Sequence, residues 1–559
     1  MYDNYFTADF ETNTDPNYCW VWAVGIYNIF TDKFVYLKNI MEFICFLKEH
    51  TNSVYYFHNL KFDGEFIISY LLKNNYKYVH DRKKLDDNTF NILMSDTGQF
   101  YSMDIGFDYG LEKLNTVKII DSLKILPMSV SEISKAFGLE ESKLTIDYDI
   151  IRSQNYTPTD NEYNYVKNDV VIMGKALNQL FKQNLKKQTI GSNALADYKH
   201  IITSKNFKKY YPELDYNDDA YCRKSYKGGF TYLNPDFKNV VIGSGIVLDV
   251  NSLYPYVLYS CMLPYGRGIY FEGKYQNDDL YNIYIQKIRC QFEIKPNKIP
   301  TIQIKKSIYF ISNEYLLSSD NEIVELTLTS VDLKLFLEHY DVYNLEYIDG
   351  YKFKSTDKLF KDYVSKWYEI KKQATIDGNK GLRTIAKLMQ NSLYGKFGLN
   401  PNVCSKYPVL NDGIVKYVNN PPEIRDTIYV PLASFCTSYA RNITIRAAQK
   451  LKHRFIYADT DSLHLVGTDY PDILEIDNVK LGAWKLESKF TRAKFLRQKT
   501  YIEEIDGELK ITCSGMPKSC YPFVTFDNFT YGQVYEGKLL FKHTDGGQYP
   551  VKTDFTIKL

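Results

Sequence analysis

Alternating and periodic apolar residues divide the first 190 residues into predicted strands and helices. Short apolar segments rich in β-branched and aromatic residues predict strands at 5–10, 20–27 and 54–57. Helical spacing predicts helices near 65–72 and over 161–185. In the second helix an apolar stripe should face the core, and Tyr165 and Asp169, four residues apart, share a neighbouring face. The pattern predicts an α/β unit that directs two polar side chains to one point.

The rest of the chain mixes strand-like and helical patterns. We expect a polar, irregular connection at 205–219, a buried strand over 240–249 that ends at Asp249, and then a helix with Pro255 in its first turn. Short strands are predicted over 261–357, a helical region over 362–397 with a break near 377–379, and strands with short helices after 426. Four prolines exclude a helix from 400–426, which we predict to be a protruding hairpin or loop. After Cys513 the pattern predicts a small, compact β tail.

The length of the chain and the pattern of its cysteines exclude several classes of protein. At about 150 residues per domain, 559 residues indicate three to four folding units. The nine cysteines are odd in number, scattered and never arranged as CxxC, which excludes a disulfide framework and a zinc ribbon and indicates a reducing, intracellular compartment. The first residues lack a secretory leader, and no stretch reaches the roughly 18 apolar residues of a membrane span. We therefore expect a soluble protein with no membrane partner.

Charge is balanced overall and basic only locally. The 69 basic and 67 acidic residues give a net charge of +2, so the field of the whole molecule does not indicate a nucleic-acid partner. Residues 358–396 hold nine basic and three acidic residues, and 485–499 hold six and one. The 51 tyrosines and 33 phenylalanines can stack on bases, but an A/T-rich gene would also raise the tyrosine content, and we favour this second explanation. Any groove for DNA is expected in the two basic windows.

Carboxylates two residues apart mark the start of the first unit. Asp9 and Glu11 leave the same face of the predicted strand, where they repel each other unless a cation joins them. Exposed strands also carry alternating acids, so this pair alone favours a solvated face. Asp63 follows another strand, and Asp169 lies beside Tyr165 on the helix. Because converging carboxylates are the ligands of hard divalent metals such as Mg²⁺, the four acids together favour a metal site.

A second set of acids lies in the centre and the last third of the chain. Asp249 ends a buried strand, and Asp459 and Asp461 stand in Tyr-Ala-Asp-Thr-Asp-Ser, which we predict to be strand, turn and strand. Alone, this segment is typical of a turn, since aspartate and serine favour turns. Unpaired aspartates at a half-buried strand end are costly, and a metal is their natural partner. Joined with Asp249, the segment indicates a second metal site.

A basic stripe lies between these acids. Arg383, Lys387, Asn391 and Tyr394 fall on one face of the predicted helix, and apolar residues occupy the rest. Two cations, an amide and an aromatic ring can neutralise a triphosphate at one end and stack on a base at the other. The alternative is an ordinary basic face exposed to solvent, and the neighbouring acids favour the nucleotide.

The ordered motifs resemble those of the protein-primed branch of the family B DNA polymerases, the phi29-type phage replicases, over nearly the whole chain. Three exonuclease motifs are matched by Asp-Phe-Glu-Thr from Asp9, by 59–63 and by Tyr-x-x-x-Asp from Tyr165, and a YxGG linker is matched at 226–229. Three polymerase motifs are matched by Asp-Val-Asn-Ser-Leu-Tyr-Pro from Asp249, Asn-Ser-Leu-Tyr-Gly from Asn391 and Tyr-x-Asp-Thr-Asp-Ser from Tyr457. A KxY motif is matched at 499–501. YxGG and KxY are weak patterns singly, but the ordered combination is highly specific.

The resemblance implies a set of polymerase residues. Asp249 and Asp461 would hold two catalytic Mg²⁺ ions, which Mn²⁺ can replace, with the Val250 carbonyl as a further ligand and Asp459 as a catalytic support. The nucleotide would contact Tyr254, where a 2′-hydroxyl cannot fit, and Lys371, Arg383, Lys387, Asn391 and Tyr394. DNA would contact Tyr226, Gly228, Gly229, Ser252, Gly395, Lys499 and Tyr501. Arg383 stands where a lysine is usual in the family.

The resemblance also implies the residues of a 3′-5′ exonuclease. The metal ligands would be Asp9, Glu11, Asp63 and Asp169. Tyr165 would orient the attacking water, and Lys143 would be an auxiliary catalytic lysine. The frayed strand would be held by Thr12, Asn59, Phe62, Ser122 and Leu123.

The implied fold is a multidomain α/β (α+β) protein. A ribonuclease-H-like exonuclease domain (1–189) would precede a right-hand polymerase with palm (190–260 and 427–512), fingers (359–398) and thumb (513–559). Two insertions would serve docking of the primer protein (261–358) and strand displacement with processivity (399–426). The implied partners are a DNA template and primer strand, dNTPs and a terminal protein primer, bound by a monomer in the cytoplasm of a bacterial host.

Three classes of function remain open. They are a DNA-directed DNA polymerase with proofreading, a nuclease with a silent polymerase half, and a non-catalytic DNA-binding relative. Both alternatives require missing ligands, and every expected carboxylate is present. Within the enzyme class, the alternative is a family B polymerase that starts from a nucleic-acid primer. The expected function is replication of linear viral DNA from a terminal-protein primer, with strand displacement and two-metal chemistry at both sites.

Overall fold

The first part of the chain is an eight-stranded sheet with helices on both faces. The computed structural model describes residues 4–107, 115–148, 150–153, 156–305, 311 and 314–558. The strands are β1 (Asn4–Thr12), β2 (Val21–Asn28), β3 (Phe34–Leu37), β4 (Ser53–Phe57), β5 (Lys77–Tyr78), β6 (Thr89–Met94), β7 (Phe100–Phe107) and β8 (Asn115–Asp121). Their spatial order is β3-β2-β1-β4-β8-β7-β6-β5, and β4 runs parallel to β1 and β8. The strands predicted at 5–10, 20–27 and 54–57 are confirmed as β1, β2 and β4.

Four helices cover this sheet. They are α1 (Ile40–Glu49), α2 (Leu60–Lys73), α3 (Val130–Phe137) and α4 (Asp160–Lys182), and the helices predicted at 65–72 and 161–185 are confirmed as α2 and α4. One apolar core lies beneath α1 and α2, and another continues from α3 and α4 into the rest of the chain. Helix α4 approaches β2 closely at Gly174, where a Cβ would lie 2.3 Å from the ring of Tyr27. This close approach brings α4 over the centre of the sheet.

Three further helices link this part to the next. They are α5 (Ile190–Ile202), α6 (Ser204–Tyr210) and α7 (Tyr216–Arg223), so the prediction of an irregular segment at 205–219 is wrong. The side chains of Thr203 and Asp215 cap α6 and α7 by accepting backbone N–H groups at 3.4 and 2.8 Å. Phe207 supplies the buried contact of α6. The polar residues of this segment therefore cap short helices or lie on their exposed faces. A polar composition alone does not exclude a helix.

The predicted strand over 240–249 is divided in the structure. The chain continues with β9 (Thr231–Leu233), β10 (Val241–Ile242), β11 (Gly245–Val250) and α8 (Leu253–Ser260). Gly243 and Ser244 separate β10 from β11, and the two strands belong to different sheets. A glycine in a strand-like run often marks such a break, since it has no side chain to pack. Asp249 lies near the end of β11 and Pro255 in the first turn of α8, as predicted.

A four-stranded sheet with one helix follows. Its elements are β12 (Leu263–Glu272), β13 (Ile283–Ile294), β14 (Val324–Thr329), α9 (Ser330–His339) and β15 (Tyr340–Thr356). The prediction of short strands over 261–357 is wrong, because β15 has 17 residues and pairs with both β12 and β13. Asn344, with φ 52°, lies at a shift of register inside β15 and does not end the strand. Turn-forming residues therefore mark bulges here.

The helical region and the proline-rich segment have the predicted types of structure. The first is α10 (Lys361–Ile376) and α11 (Lys380–Ser392), which are separated at Gly378, φ 67°, and followed by a 3₁₀ turn, Tyr394–Lys396. The second contains β16 (Asn402–Val403), β17 (Lys406–Asn411), β18 (Ile414–Asn419) and β19 (Glu423–Ile424). Strand β17 pairs with β18, and β16 with β19, so this segment is a hairpin.

The last part completes a central antiparallel sheet. It contains α12 (Val430–Lys450), β20 (Phe455–Asp459), β21 (Ser462–Val466), β22 (Trp484–Phe490), β23 (Arg492–Arg497), β24 (Thr500–Ile505), β25 (Glu508–Cys513), β26 (Val534–Thr544) and β27 (Gly547–Thr556). The central order is β22-β11-β21-β20-β9, beside a second sheet of β10-β23-β24-β25. The prediction of only short helices after 426 is wrong, because α12 has 21 residues.

The tail after Cys513 is β structure, as predicted, but it is not compact. Strands β26 and β27 form a long hairpin whose tip reaches the first part of the chain, where the N–H of Cys19 donates to the carbonyl of Asp545 at 2.8 Å. The domain boundaries assigned above stay predictions. Every helix in the described part is too short or too polar to cross a bilayer.

Candidate active sites

The first acidic cluster lies where β1 meets α4. Asp9 and Glu11 leave the same face of β1, and Asp169 faces them from α4. One oxygen of each of these three carboxylates lies within 4.8 Å of the others. Glu11 and Asp169 are buried, and Asp9 is half-buried. The structure therefore brings three of the four acids predicted here together.

The fourth acid, Asp63, approaches the cluster from the first turn of α2. It is buried, and its Oδ1 accepts the backbone N–H of Phe10 on β1 at 3.2 Å. The helix N-terminus favours a negative charge at this position. Burial, and then Asp9, raise the pKa of Asp63, so the two acids repel each other. Asp63 lies outside the group of three but within its electrostatic reach.

Four carboxylates and one lysine meet in this cluster, and burial disfavours the negative charges that the lysine leaves unpaired. Burial, and then Asp169, raise the pKa of Asp9 to about 7. Burial, and then Asp9, raise the pKa of Glu11. Lys143 supplies one cation, with its Nζ 2.6 Å from Asp169 Oδ2. The other oxygen of Asp169 is buried and has no hydrogen-bond partner among the described residues. This donor set fits a hard divalent cation.

Two tyrosine hydroxyls border the cluster. Those of Tyr165 and Tyr148 lie 2.7 Å apart, and the Lys143 ammonium is 5.2 Å from the centre of the Tyr165 ring. Burial, and then Glu11, raise the pKa of Tyr165, so its hydroxyl keeps its proton and can donate. Sequence reasoning assigned no role to Tyr148, and its position five residues after Lys143 was the only signal.

The residues predicted to hold a strand lie near the same edge of the sheet. Thr12 ends β1, and Asn59, exposed and with φ 73°, directly precedes α2. Phe62 lies on the first turn of α2 and Leu123 in the turn after β8, both half-buried. Ser122 is fully buried, and its hydroxyl donates to a backbone carbonyl of β4 at 2.9 Å. Contacts of these five residues with DNA stay predictions.

Asp121 joins two of these loops, and sequence reasoning missed it. Its Oδ1 accepts the backbone N–H groups of Asn59 and Leu123, each at 3.0 Å. Asp121 ends β8, next to β4 in the sheet, so the contact depends on a strand pairing that the local pattern does not reveal.

The second acidic set lies on the central sheet. Asp249 on β11 pairs across the sheet with Ser462, the residue after Asp461. Asp459 ends β20, and Asp461 lies in the turn to β21. The N–H of Val250 donates to the carbonyl of Asp461 at 2.8 Å. This register gathers the three acids at one edge of the sheet.

Lysines from neighbouring strands neutralise two of these acids. Lys485 Nζ lies 3.0 Å from Asp249 Oδ1, and Lys499 Nζ lies 3.1 Å from Asp459 Oδ1. Within the described part of the chain, no ion pair reaches Asp461. Burial, and then Asp249, raise the pKa of Asp461 to about 6. These acids are spaced more widely than the first three, and the charge around Asp461 fits a divalent cation.

Two residues of β22 near this site were missed from the sequence. Lys485 pairs with Asp249, and Glu487 adds to the repulsion that raises the pKa of Asp461, after burial and the two other aspartates. The basic window 485–499 contains both residues. Which of its residues reach the acids depends on the pairing of β22 with β11.

Cations from two helices face the same space. Burial, and then Lys485, lower the pKa of Lys371 on α10, with further contributions from Arg383 and Lys387 on α11. Burial raises the pKa of Asp249, and Lys485 opposes this rise. Lys387 lies close enough to Asp249 to oppose it as well, but less strongly. Arg383 and Lys387 are exposed. Four cations thus surround a space that suits a polyanion.

A stacked pair of aromatic rings borders this space. Tyr254 in the first turn of α8 and Tyr394 have ring centres 4.0 Å apart, with planes inclined by 18°. Tyr394 lies in the 3₁₀ turn after α11, so the predicted helical stripe holds for its first three residues. Asn391 and Gly395 are exposed beside the pair. Ser252 directly precedes α8 with φ 53°.

The segment 226–229 lies against the acidic turn. A Cβ on Gly229 would be 2.7 Å from the side chain of Thr460, so only glycine fits this approach. Arg441 on α12 donates to the carbonyls of 227 and 228 at 2.8 and 2.7 Å and fixes the segment. Sequence reasoning missed Arg441. Tyr226 is half-buried, and position 228 is exposed.

Lys499 and Tyr501 continue the site on the second sheet. Lys499 has φ 55°, and its N–H donates to the hydroxyl of Tyr457 at 3.0 Å. The Tyr501 ring stacks on Phe495 with centres 4.9 Å apart and lies 5.2 Å from Tyr457. The two residues are therefore fixed beside the strand that carries Asp459.

Viral DNA polymerases are similar to this chain over almost its whole length. The family model for DNA polymerase type B, organellar and viral, matches residues 44–162 and 152–478. The chain is 46% identical to the DNA polymerases of Bacillus phage Nf and Bacillus phage phi29, with 99% of this chain and of each relative covered. It is 32% identical to the DNA polymerase of Streptococcus phage Cp-1, over 99% of this chain and 98% of the relative.

Comparison with solved structures also finds DNA polymerases of the phi29 type. The fold is similar to that of phi29 DNA polymerase complexed with primer-template DNA and incoming nucleotides, with a TM-score of 0.94, 44% identity, and 99% of this chain and 100% of the other covered. It is similar, with a TM-score of 0.93, 44% identity and the same coverage, to phi29 DNA polymerase complexed with single-stranded DNA.

Proposed function

The chain belongs to the organellar and viral type B DNA polymerases, of the phi29 phage type, and from this membership we propose that it replicates linear phage DNA from a terminal-protein primer. The proposal includes strand displacement and 3′-5′ proofreading. The observation that supports it best is the pair of separate acidic sites, at Asp9 with Glu11 and Asp169, and at Asp249 with Asp461. Each site keeps the carboxylates that the resemblance requires.

Nucleotide addition is assigned to the edge of the central sheet. Asp249, the Val250 carbonyl and Asp461 would hold Mg²⁺, or Mn²⁺ in its place, and Asp459 would support them. Bound there, the ions supply the charge that activates the primer hydroxyl and stabilises the leaving oxygen. Lys485 keeps the Asp249 carboxylate in place from the neighbouring strand.

The cations of α10 and α11 are assigned to the triphosphate. Arg383 and Lys387 are exposed, and the pKa of Lys371 is lowered because burial and the nearby Lys485, Arg383 and Lys387 disfavour its charge. An anionic ligand would relieve this crowding. Tyr254, held against Tyr394, forms a rigid wall for the sugar, and such a wall rejects a 2′-hydroxyl by contact.

Proofreading is assigned to the first cluster. Metal ions would be held by Asp9, Glu11, Asp63 and Asp169. Tyr165 keeps its proton and would donate a hydrogen bond to the attacking water, and Lys143 holds Asp169 and adds positive charge where negative charge develops. The frayed strand would be held by Thr12, Asn59, Phe62, Ser122 and Leu123.

The two insertions support priming by a protein. The sheet of β12–β15 with α9 and the hairpin of β16–β19 are structured units that a bare connection would not need. We assign the first to docking of the terminal protein and the second to strand displacement and processivity. A hydroxyl of that protein would take the place of the primer 3′-hydroxyl in the same attack.

Two variants test the separation of the sites on a singly primed circular template, with and without Mg²⁺. Asp461→Ala should stop extension and keep Mg²⁺-dependent degradation of single strands, and Asp9→Ala with Asp63→Ala should do the reverse. Asp472→Asn, which changes an exposed acid on a nearby loop, is the control. Loss of both activities in one folded variant would contradict the assignment.

A labelled nucleotide tests protein priming. With purified terminal protein and no DNA primer, the label should become attached to that protein. Extension of DNA primers without any labelled protein would favour the nucleic-acid-primed alternative.

A further inference from the structure

Two hairpins from distant parts of the chain meet on helix α2. We call β17–β18 the insertion hairpin and β26–β27 the C-terminal hairpin. A Cβ on Gly413, in the turn of the first, would lie 3.2 Å from a carboxylate oxygen of Asp545, in the turn of the second. The two tips are therefore in contact.

The C-terminal hairpin is fixed at both ends. At its base, Tyr535 is buried and its hydroxyl donates to the carbonyl of Asn528 at 2.8 Å, in a core shared with β23–β25. At its tip, the Gln548 amide donates to the carbonyls of Lys61 and Phe62 in α2, each at 3.1 Å. The hairpin thus connects the sheet that carries Lys499 to helix α2.

Glu65 lies where the two hairpins meet. Its side chain, on α2, is 2% exposed. Its Oε2 accepts the hydroxyl of Tyr417 from the insertion hairpin at 2.6 Å, and its Oε1 lies 2.8 Å from Nδ1 of His543 on the C-terminal hairpin. The rings of Tyr417 and His543 are 6.2 Å apart. Both oxygens of one buried carboxylate are thus bound by two different hairpins; we call these three residues the Glu65 junction.

A carboxylate at this position favours one arrangement over others. Removing it from water is costly, and the cost is met only when both oxygens have partners of good geometry. An apolar residue would pack there without requiring either hairpin to lie in one register. The Glu65 junction therefore favours one relative arrangement of the two hairpins more than it lowers the free energy of the folded protein.

Lysines lie on the strands of both hairpins, and acids lie at their tips. The four strands carry Lys406, Lys416, Lys538, Lys542 and Lys552 with the acids Glu536 and Asp554, and the two turns add Asp412 and Asp545. The excess of lysine on the strands suits the phosphates of a duplex.

We propose that Glu65 is a positioning residue that keeps the two hairpins together through its two buried contacts, and that it thereby supports the processivity proposed above for the insertion hairpin. Glu65 acts through Tyr417 and His543 and does not touch the reacting atoms. The proposal rests on the polymerase activity proposed above, but not on protein priming.

The test measures how far the enzyme extends a primer in one binding event. A long primed template is bound first, and excess heparin is then added with the dNTPs to trap any enzyme that dissociates. All proteins carry Asp9→Ala, so that degradation does not shorten the products. The rate of single-nucleotide addition is measured separately, with enzyme in excess over template.

Glu65→Ala should shorten the products by fivefold or more and change single-nucleotide addition by less than twofold. Tyr417→Phe and His543→Gln should each shorten them, and adding both to Glu65→Ala should have no further effect, because the three residues act as one unit. Glu65→Gln, whose amide can still bind both partners, should restore the length to within twofold of the parent.

Lys518→Ala is the matched control. It breaks a cross-domain ion pair, Lys518 with Glu132 at 3.1 Å, that is exposed and away from the hairpin tips, and it should leave product length unchanged. Products of parental length from Glu65→Ala would overturn the proposal, as would equal shortening by Lys518→Ala or an equal fall in single-nucleotide addition. If Glu65→Ala does not fold, parental product lengths from both Tyr417→Phe and His543→Gln would overturn it. A parent with no extension at all would instead contradict the proposed polymerase activity.

Discussion

Asp461 should destabilise the folded protein at neutral pH when no divalent cation is bound. Its carboxylate faces Asp249, Asp459 and Glu487, and burial, followed by Asp249, raises its pKa from 3.8 to about 6. This difference corresponds to a ceiling of about 3 kcal/mol. The side chain is partly exposed and screened by water, so we expect about 1–2 kcal/mol.

The sign of the pH dependence follows from the raised pKa. The folded protein binds a proton at Asp461 more tightly than the unfolded chain does, so the destabilisation is fully present above about pH 6. It disappears as the pH falls from about 6 toward 3.8, where both states become protonated. Asp461→Asn removes the charge and should remove the destabilisation.

Thermal unfolding in EDTA tests this prediction. At pH 7.5, Asp461→Asn should raise the melting temperature of the domain that holds it by roughly 2–8 °C, and the gain should shrink at pH 5. Mg²⁺ should raise the melting temperature of the parent more than that of the variant, because a ligand that binds only the folded state stabilises it. Asp472→Asn, at an exposed acid, should show neither effect. A lower melting temperature for Asp461→Asn at pH 7.5, or a gain that persists unchanged at pH 5, would refute the reasoning.

Three further predictions concern the proposed activities. Tyr254→Val should increase ribonucleotide incorporation relative to deoxyribonucleotide by tenfold or more, whereas Tyr259→Val on the same helix should not; an unchanged ratio would remove Tyr254 from sugar selection. Lys143→Ala should lower single-strand degradation by about 100-fold and leave extension intact, with Lys175→Ala as control; degradation at the parental rate would mean that Lys143 is structural. Excision of 399–426 should abolish rolling-circle products and keep gap filling on short primed templates; equal loss of both would mean that the hairpin is needed for folding.

Local patterns predicted the elements that carry a distinct apolar signal. The strands β1, β2 and β4 were found as short apolar segments, and β2 and β4 are buried over almost their whole length. The helices α2 and α4 were found because apolar residues recur at helical spacing. Helix α12 was missed because it is buried on nearly all sides and carries small polar residues. Thr437 and Ser438 are buried there, and their hydroxyls donate to carbonyls of the preceding turn at 3.1 and 2.7 Å. Such residues satisfy themselves within the helix and leave no periodic apolar signal.

The candidate sites divide in the same way. The acids were identified because motif spacing places them on one strand or one turn, as for Asp9 with Glu11 and Asp459 with Asp461. Lys485, Arg441 and Asp121 were missed because each reaches its site from another element, at a position that only the folded register determines. Motif spacing identifies site residues that are close to each other in the sequence. It does not identify a residue such as Lys485, whose position beside the site depends on strand pairing.

The lysines at the two sites also explain which acids most require a metal. Lys143 binds Asp169, Lys485 binds Asp249, and Lys499 binds Asp459, each within 3.1 Å. Each lysine neutralises one carboxylate and leaves its neighbours unpaired. At the first site burial and mutual repulsion raise the pKa values of Asp9, to about 7, and of Glu11 and Asp63, and at the second site they raise the pKa of Asp461 to about 6. A divalent cation would add its charge beside these acids without competing for the lysine-bound oxygens. The lysines therefore hold Asp169, Asp249 and Asp459 in place and leave the electrostatic demand for metal on three acids at the first site and on Asp461 at the second.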